Sequence, residues 1–438
     1  MVKANIEKLR GMPRFFPPVL DALRFRNAET AALQSLNDVE WQQLLEFCDL
    51  AHLTLPLVHV CQEIAPSWVI SRISQNIADN KERTEKVKSA YVEMAQTLSD
   101  AGVEHLVVKG FAQYPDFVEG QEFRFQSDID LYFPKKVVVQ ASEALVALGY
   151  RANETLEGFP SDHLPTMARE TGWKWRGNMY DPEMPPSVDL HFCLWNEVLT
   201  QISIDAVDKF WDRRVMRQSG GFRFPTLDLA DNLGFCALHI LRDLFRGDWV
   251  IHHVYELAWF LHHRANDDAF WENWKELHDD SLRAIEAIAF WLARDWFKCD
   301  VSVLVEAEIA QMSSWLKQWL LSFSKSPLTG MFRANKDAVW LHLCLVESKW
   351  KKLTVLRDAL LPMRFPALNA PGQNTTKLRR VRKFWPTQPH LRYVLHIAFR
   401  IGYHTQLIFP SFYRGAKFWI LKKVRSNGHP LIGVFSST

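Results

Sequence analysis

The stretch Asp128-Ile129-Asp130-Leu131-Tyr132-Phe133 constrains this chain more than any other, because its strict alternation belongs to a strand with one buried face. Ile129, Leu131 and Phe133 then point into a core, and both carboxylates share the opposite face. Upstream, Leu106-Val107-Val108-Lys109-Gly110 reads as an apolar strand ending in Lys-Gly. Downstream, Ser187 to Leu194 alternates again, with Val188, Leu190, Phe192 and Leu194 inward and Asp189 and His191 on the other side. If these strands share a sheet, Asp128, Asp130 and Asp189 converge. At ~4 Å and an effective dielectric of ~20, each carboxylate pair repels by roughly 4 kcal/mol. A divalent cation removes that repulsion, and oxygen ligands favour Mg²⁺ or Mn²⁺ over zinc. Without a cation, Asp130→Asn is expected to relieve the fold. The alternative is an Asp-x-Asp strand edge that is merely solvated.

Taken in order, the elements Lys109-Gly110, Arg124-Phe125-Gln126-Ser127-Asp128-Ile129-Asp130-Leu131 and Val188-Asp189-Leu190-His191 carry a family likeness. The chain resembles the DNA polymerase β type nucleotidyltransferase superfamily and, within it, a bacterial family of uncharacterised nucleotidyltransferases. The likeness continues through Leu238-His239, Arg242, Trp249 and Tyr255-Glu256-Leu257-Ala258, and spans roughly Leu36 to His263. It implies an α+β fold, a small mixed-sheet nucleotidyltransferase core flanked by N-terminal and C-terminal helical regions. It also implies transfer of an NMP from an NTP to a hydroxyl or phosphate of an unidentified acceptor, with release of pyrophosphate. In that chemistry Asp128 and Asp130 hold the metal, Mg²⁺ or Mn²⁺, and Asp189 completes a second metal position or takes the acceptor's proton. Lys109, Gly110, Arg124, Ser127, His239 and Arg242 contact the nucleotide, and His191 orients a metal-holding carboxylate from outside. One departure stands out. The superfamily has Gly-Ser after the first strand, whereas Gly110 is followed by Phe111. The alternative function is therefore a non-catalytic adaptor or regulator on the same fold.

A length of 438 residues allows two or three domains. The composition shifts suggest a helical region over 1–98, the core over 99–224, a helical domain over 225–365 and a basic aromatic tail over 366–438. Gly102 suits the end of a helix covering Glu82 to Ser99, in which Val87, Tyr91, Met94 and Leu98 recur at helical spacing. Lys136 to Leu148 reads as a helix closed by Gly149, and Pro-rich residues 153–186 as a long loop or irregular hairpin bordering a cleft, with Trp173-Lys174-Trp175-Arg176 either an ordinary exposed hairpin or, less favoured, a stacking surface for a nucleotide base. On a helix over Asp228 to Arg246, the residues Phe235, His239, Arg242 and Arg246 share a face.

Six cysteines without Cys-x-x-Cys spacing suit a reducing compartment, and His252-His253 and His262-His263 lack zinc-site spacing. Neither a dinucleotide fingerprint nor a P-loop occurs, and sequence-specific nucleic-acid binding is not supported. No apolar run reaches signal-peptide or membrane-spanning length, so the expectation is a cytoplasmic protein. The net charge of +2 hides an asymmetry. After Asp358 come thirteen Lys and Arg and no acid, leaving 39 basic against 50 acidic residues before it. The cations of residues 377–425 beside apolar, aromatic Leu391 to Phe409 suggest peripheral attachment to the anionic surface of the inner membrane, or docking on the acidic body.

Overall fold

A computed structural model describes residues 12–152, 161–219, 221–360 and 389–426. Helix α1 (Asp38–Leu50) opens on a capping box, with the Asn37 side chain accepting from the Glu40 N–H and the Glu40 carboxylate accepting from the Asn37 N–H. Helix α2 (Ser67–Asp100) runs 34 residues, well beyond the segment that composition marks. Its buried stripe includes Asn76, Asn80, Arg83, Val87, Tyr91, Met94 and Leu98, in steps of three or four residues. The apolar half of that stripe packs on the sheet, and the polar half grips loops, as shown below. Gly102 follows the helix with φ +67°, a conformation that a side chain would resist.

Seven strands follow: β1 (Leu106–Val108), β2 (Asp128–Tyr132), β3 (Tyr150–Ala152), β4 (Met167–Arg169), β5 (Ser187–His191), β6 (Val215–Ser219) and β7 (Phe222–Thr226). They form one mixed sheet in the order β3-β4-β5-β2-β1-β7-β6. The chain is thus α+β, with helical regions on either side of the sheet in sequence. Strand β2 pairs antiparallel with β1 and parallel with β5, at the centre. Ile129, Leu131, Val188 and Leu190 face a core shared with Val87, Tyr91, Met94 and Leu98 of α2. Helix α3 (Val138–Ala147), directly after β2, adds Val138, Ala141 and Leu145 to it. The alternation therefore sends the acids to the opposite face.

Helices α4 (Leu229–Arg246) and α5 (Ile251–His263) share a core with Leu106 and Val108 of β1 on that side, and α6 (Asp280–Phe297) packs on both helices. The Asp228 carboxylate accepts from the Ala230 N–H at the start of α4, and Gly247 ends it in a left-handed conformation. Helix α4 is buried on nearly every side, which is why Leu, Ala and Phe crowd its sequence. None of the six cysteines is disulfide-bonded.

Beyond α7 (Ala338–Leu345), the described part of the tail is one helix, α8 (Pro389–Ser426). It docks on the body. Ser411 Oγ accepts from the Lys336 N–H at 3.0 Å, Arg414 Nε donates to Asp337 Oδ1 at 3.0 Å, and Phe418 lies among Trp315 and Phe323. Gly415 lies against the Trp340 ring, where a Cβ would fall 2.0 Å from a ring carbon. The basic cluster Lys377 to Lys383 and the part of the 153–186 loop before residue 161 lie outside the described residues. Among the described residues no helix is long and apolar enough to cross a membrane.

Candidate active site

The parallel pairing of β2 with β5 sets Asp130 directly opposite Asp189 and Tyr132 opposite His191. Cross-strand partners lie within side-chain reach. The Asp130 carboxylate, 4% exposed, takes both of its close contacts on Oδ1: Lys109 Nζ donates at 2.9 Å and His191 Nε2 lies at 2.8 Å. Asp189 Oδ1 accepts from the Thr166 hydroxyl at 2.6 Å, with His163 Nδ1 at 3.9 Å. Asp128, two residues before Asp130 on the same face, has Ser127 Oγ 3.5 Å from its Oδ1. One ligand atom each from Asp130, Asp189 and His191 lies within 4.8 Å of the other two. Among the described residues, the close cluster thus joins His191, rather than Asp128, to the two opposed acids.

The electrostatics separate the two acids of β2. Burial and the neighbouring Asp130 push the Asp128 carboxyl up to about 7. Burial would raise Asp130 as well, but Lys109 and the bond to His191 outweigh it and hold that carboxyl well below the usual range. Asp130 is thus the fixed anion of the site and Asp128 the acid that titrates near neutral pH. Three carboxylates with an imidazole, one acid unable to ionise freely among the others, are a donor set that fits an oxygen-preferring divalent cation.

The connection from β1 to β2 carries the remaining residues. Lys109 has φ +60° and ψ −160°, a sparsely populated conformation costing of order 1–3 kcal/mol and found mostly where function demands it. Gly110 follows at φ +56°, and any Cβ there would lie 2.2 Å from Gln126 Nε2. Phe111 turns its ring into the core against Tyr91 and Phe224. Arg124 Nε pairs with the buried Glu256 Oε1 of α5 at 2.9 Å. From α4, His239 Nε2 lies 3.1 Å from Asp243 Oδ2, and Arg242 bridges Asp243 and Asp162. Arg246, on the same face, reaches only Asp248, at 3.6 Å. The ligand atoms of His239, Asp243 and His253 also lie within 4.8 Å of one another, but the Arg242 guanidinium stands 3.5 Å from His239 Nε2, which opposes a cation there.

Asp162, His163, Thr166 and Arg83 escape sequence reasoning. The first three come from the 153–186 loop, whose described part runs beside β5, with the Phe192 N–H donating to Asp162 O at 3.0 Å and Leu164 N–H to Leu190 O at 2.9 Å. The signal available was local, since Ser161-Asp162-His163 is a polar cluster with no periodicity of its own. Trp173 of the same loop donates from Nε1 to Asp181 Oδ2 at 3.0 Å, while Trp175 is exposed.

A mixed sheet presenting paired acids and Lys-Gly at the end of its first central strand defines a nucleotidyltransferase-type site. The chain belongs to a family described as uncharacterised nucleotidyltransferase, whose model matches residues 37–298. The match spans every residue of the site. No curated protein and no solved structure matches the chain.

The raised Asp128 has a measurable consequence. A carboxylate holding a cation must lose its proton, so the cation and the Asp128 proton compete. With the free-protein value at about 7, Mg²⁺ or Mn²⁺ is expected to bind roughly tenfold more weakly at pH ~6 than at pH ~8. Because this value lies above the ordinary 3.8, the stability Asp128 gives the metal-free protein is complete below about pH 4 and lost as pH rises through about 7. Titration calorimetry with Mn²⁺ at the two pH values checks the first statement, and equal affinities would overturn it.

Proposed function

We propose that this protein is a divalent-metal-dependent nucleotidyltransferase, moving an NMP from an NTP onto a hydroxyl or phosphate of an acceptor and releasing pyrophosphate. The observation that carries the reading is the register Asp130 against Asp189, with Asp128 beside them, on strands inside the family match. Asp128, Asp130 and Asp189 hold Mg²⁺ or Mn²⁺, with His191 and Lys109 fixing the Asp130 carboxylate. When bound, the cation neutralises phosphate oxygens and makes the acceptor oxygen easier to deprotonate. Lys109, beside Asp130, would supply positive charge to the phosphates, and Arg124 would add to it. Asp189, held by the Thr166 hydroxyl, takes the acceptor's proton. Gly110 and Ser127 let the backbone approach the nucleotide, and His239 and Arg242 form the wall behind it. Incubation of the protein with α-labelled NTPs, Mg²⁺ and cell extract tests the reading. Label transferred to an acceptor supports it, and the absence of both transfer and Mg²⁺-dependent NTP binding leaves the non-catalytic adaptor.

Tail attachment to an anionic membrane surface is part of the same proposal. Its support is the charge of the tail together with the outer face of α8, where Phe409 and Tyr413 are 74% and 76% exposed. The full-length protein is expected to sediment with anionic vesicles at low salt and to release several-fold as salt shortens the Debye length to ~3 Å at 1 M. Phe409→Ser with Tyr413→Ser should halve retention or better without touching the docked face. Equal binding to neutral vesicles, or none at low salt, overturns the attachment.

A further inference from the structure

A cleft opens beside the site. Its floor is one face of α5, on which His252, Tyr255, Glu256 and Trp259 stand at positions i, i+3, i+4 and i+7. Phe117, Phe123 and Arg124 of the β1–β2 connection form the facing wall, and His52 and His59 of the N-terminal helical region close the side. A smaller cavity, lined by Lys109 and His239 among others, shares Phe117 and Glu256 with it. Lys109 is the residue bonded to Asp130, so it links the acids to the small cavity, and Phe117 and Glu256 border both the small cavity and the cleft.

The chemistry of the walls says what the cleft would hold. Rings line it, and its charges are two acids, Glu119 and Glu256, against one cation, Arg124, already paired with Glu256. Such a lining repels phosphate and suits a planar, neutral heterocycle. Three polar atoms of its lining are buried without a hydrogen-bond partner; Arg124 Nε has its ion pair with Glu256 Oε1, which leaves Glu256 Oε2 and His252 Nδ1. The nearby His253 Nδ1 lies 3.8 Å from Glu256 Oε2, too far for a hydrogen bond. A buried carboxylate oxygen without a donor is costly, and an N–H on the edge of a ligand would recover that loss. Every nucleobase offers such an N–H next to an acceptor on its pairing edge.

We infer that this cleft is the nucleobase pocket for the NTP whose phosphates lie at the acids, with Phe123 and Tyr255 flanking the ring and Glu256 accepting from its edge. The inference rests on the nucleotidyltransferase reading above. It is distinct from it, because a site that held only Mg²⁺ and the triphosphate would satisfy that reading without using the cleft.

The test compares three ligands on the full-length protein in Mg²⁺ by titration calorimetry: each of the four NTPs, inorganic tripolyphosphate, and the matching nucleosides. At least one NTP is expected to bind about tenfold or more tightly than tripolyphosphate, the worth of one stacked base. His59→Trp fills the mouth from a position whose side chain is half exposed, and Phe123→Ala removes a partly buried wall; neither removes a core residue. Both should bring NTP affinity down to that of tripolyphosphate and leave tripolyphosphate binding unchanged. Equal wild-type affinities for NTP and tripolyphosphate overturn the pocket while the metal–triphosphate reading stands. So does a nucleoside that binds alongside NTP without competing, since it assigns the cleft to an acceptor. If neither NTP nor tripolyphosphate binds, the underlying reading has failed, and the nucleoside arm decides alone. Binding abolished by His59→Trp keeps a nucleobase pocket, and no binding removes it.

Discussion

Asp130→Asn is expected to lower the proposed nucleotidyl transfer by about a thousandfold, the upper range for losing one preorganised group at a reacting centre. The reason lies in how Asp130 is held. Lys109 and His191 both reach its Oδ1, and the carboxyl stays ionised where its neighbour Asp128 titrates. An amide in its place offers a metal one neutral oxygen and leaves Lys109 without its anion. This changes the stability expectation drawn from the alternating strand alone, in which any of the three acids could be neutralised with relief. The repulsion falls on Asp128, whose carboxyl is pushed up, while Asp130 sits in a compensated pair. At pH ~8 without metal, Asp128→Asn should therefore raise the thermal midpoint and Asp130→Asn should lower it. Both should lose the rise that Mg²⁺ gives the wild type. A single-turnover assay with α-labelled NTP measures the first effect, and wild-type turnover by Asp130→Asn would sink the metal assignment.

The part of the site legible in the sequence is the part that alternation encodes. With a period of two, Asp128 and Asp130 go to one face and Ile129 and Leu131 to the other, and the sheet obeys because the apolar face has α2 and α3 to bury against. Register across strands carries no such local signal. Asp130 meets Asp189 because β2 and β5 pair in parallel, a contact 59 residues apart that only the shared pattern of acids and the family likeness could suggest. Residues arriving from irregular backbone were hidden for the same reason. Thr166 and Asp162 touch the site from a stretch with no period, and their positions depend on hydrogen bonds to β5. The helical cations show a different limit. Spacing correctly puts His239 and Arg242 on one face of α4, but it cannot see that Asp162 and Asp243 already neutralise Arg242. The tail divides in the same way. Its charge is plain in the sequence, whereas the docking of α8 depends on Gly415 meeting Trp340 and Arg414 meeting Asp337.

The stripe on α2 could have been read further. Val87, Tyr91, Met94 and Leu98 mark its apolar half, and the same phase runs back through Arg83, Asn80 and Asn76, which are equally buried. A buried polar continuation of an apolar stripe means side chains bonded to backbone, because nothing else satisfies them at that depth. Asn80 donates to Glu122 O at 2.8 Å and Arg124 O at 3.0 Å. Arg83 donates to Gln126 O at 2.9 Å and Ser127 O at 3.3 Å just before β2, and to Met184 O at 2.6 Å and Asp181 O at 3.4 Å just before β5. One guanidinium thus ties together the entries of the two acid-bearing strands. Burial lowers its pKa to about 10, with Asp128 and Asp181 opposing the fall, so it stays charged at neutral pH.

Arg83→Met fills similar volume and strips Gln126 O and Met184 O of their donor, while Ser127 O and Asp181 O keep the N–H groups of Ser187 and Met184. Each buried acceptor left unpaired costs about 1–3 kcal/mol, and relief from burying a charge offsets part of the sum, so a net loss on the order of 3 kcal/mol is expected. Arg83→Lys, which keeps the charge but not the planar fork, should fall between the two. Activity should drop further than stability explains, because the variant frees β2 and β5 to shift relative to each other and so separates Asp130 from Asp189. Urea unfolding gives the first quantity. The second is Mn²⁺ affinity measured well below the unfolding transition, where an intact fold that binds the ion at least tenfold more weakly confirms that α2 positions the acids. An Arg83→Met protein within about 0.5 kcal/mol of wild type, or one destabilised but binding Mn²⁺ normally, shows that the strands hold their register without it.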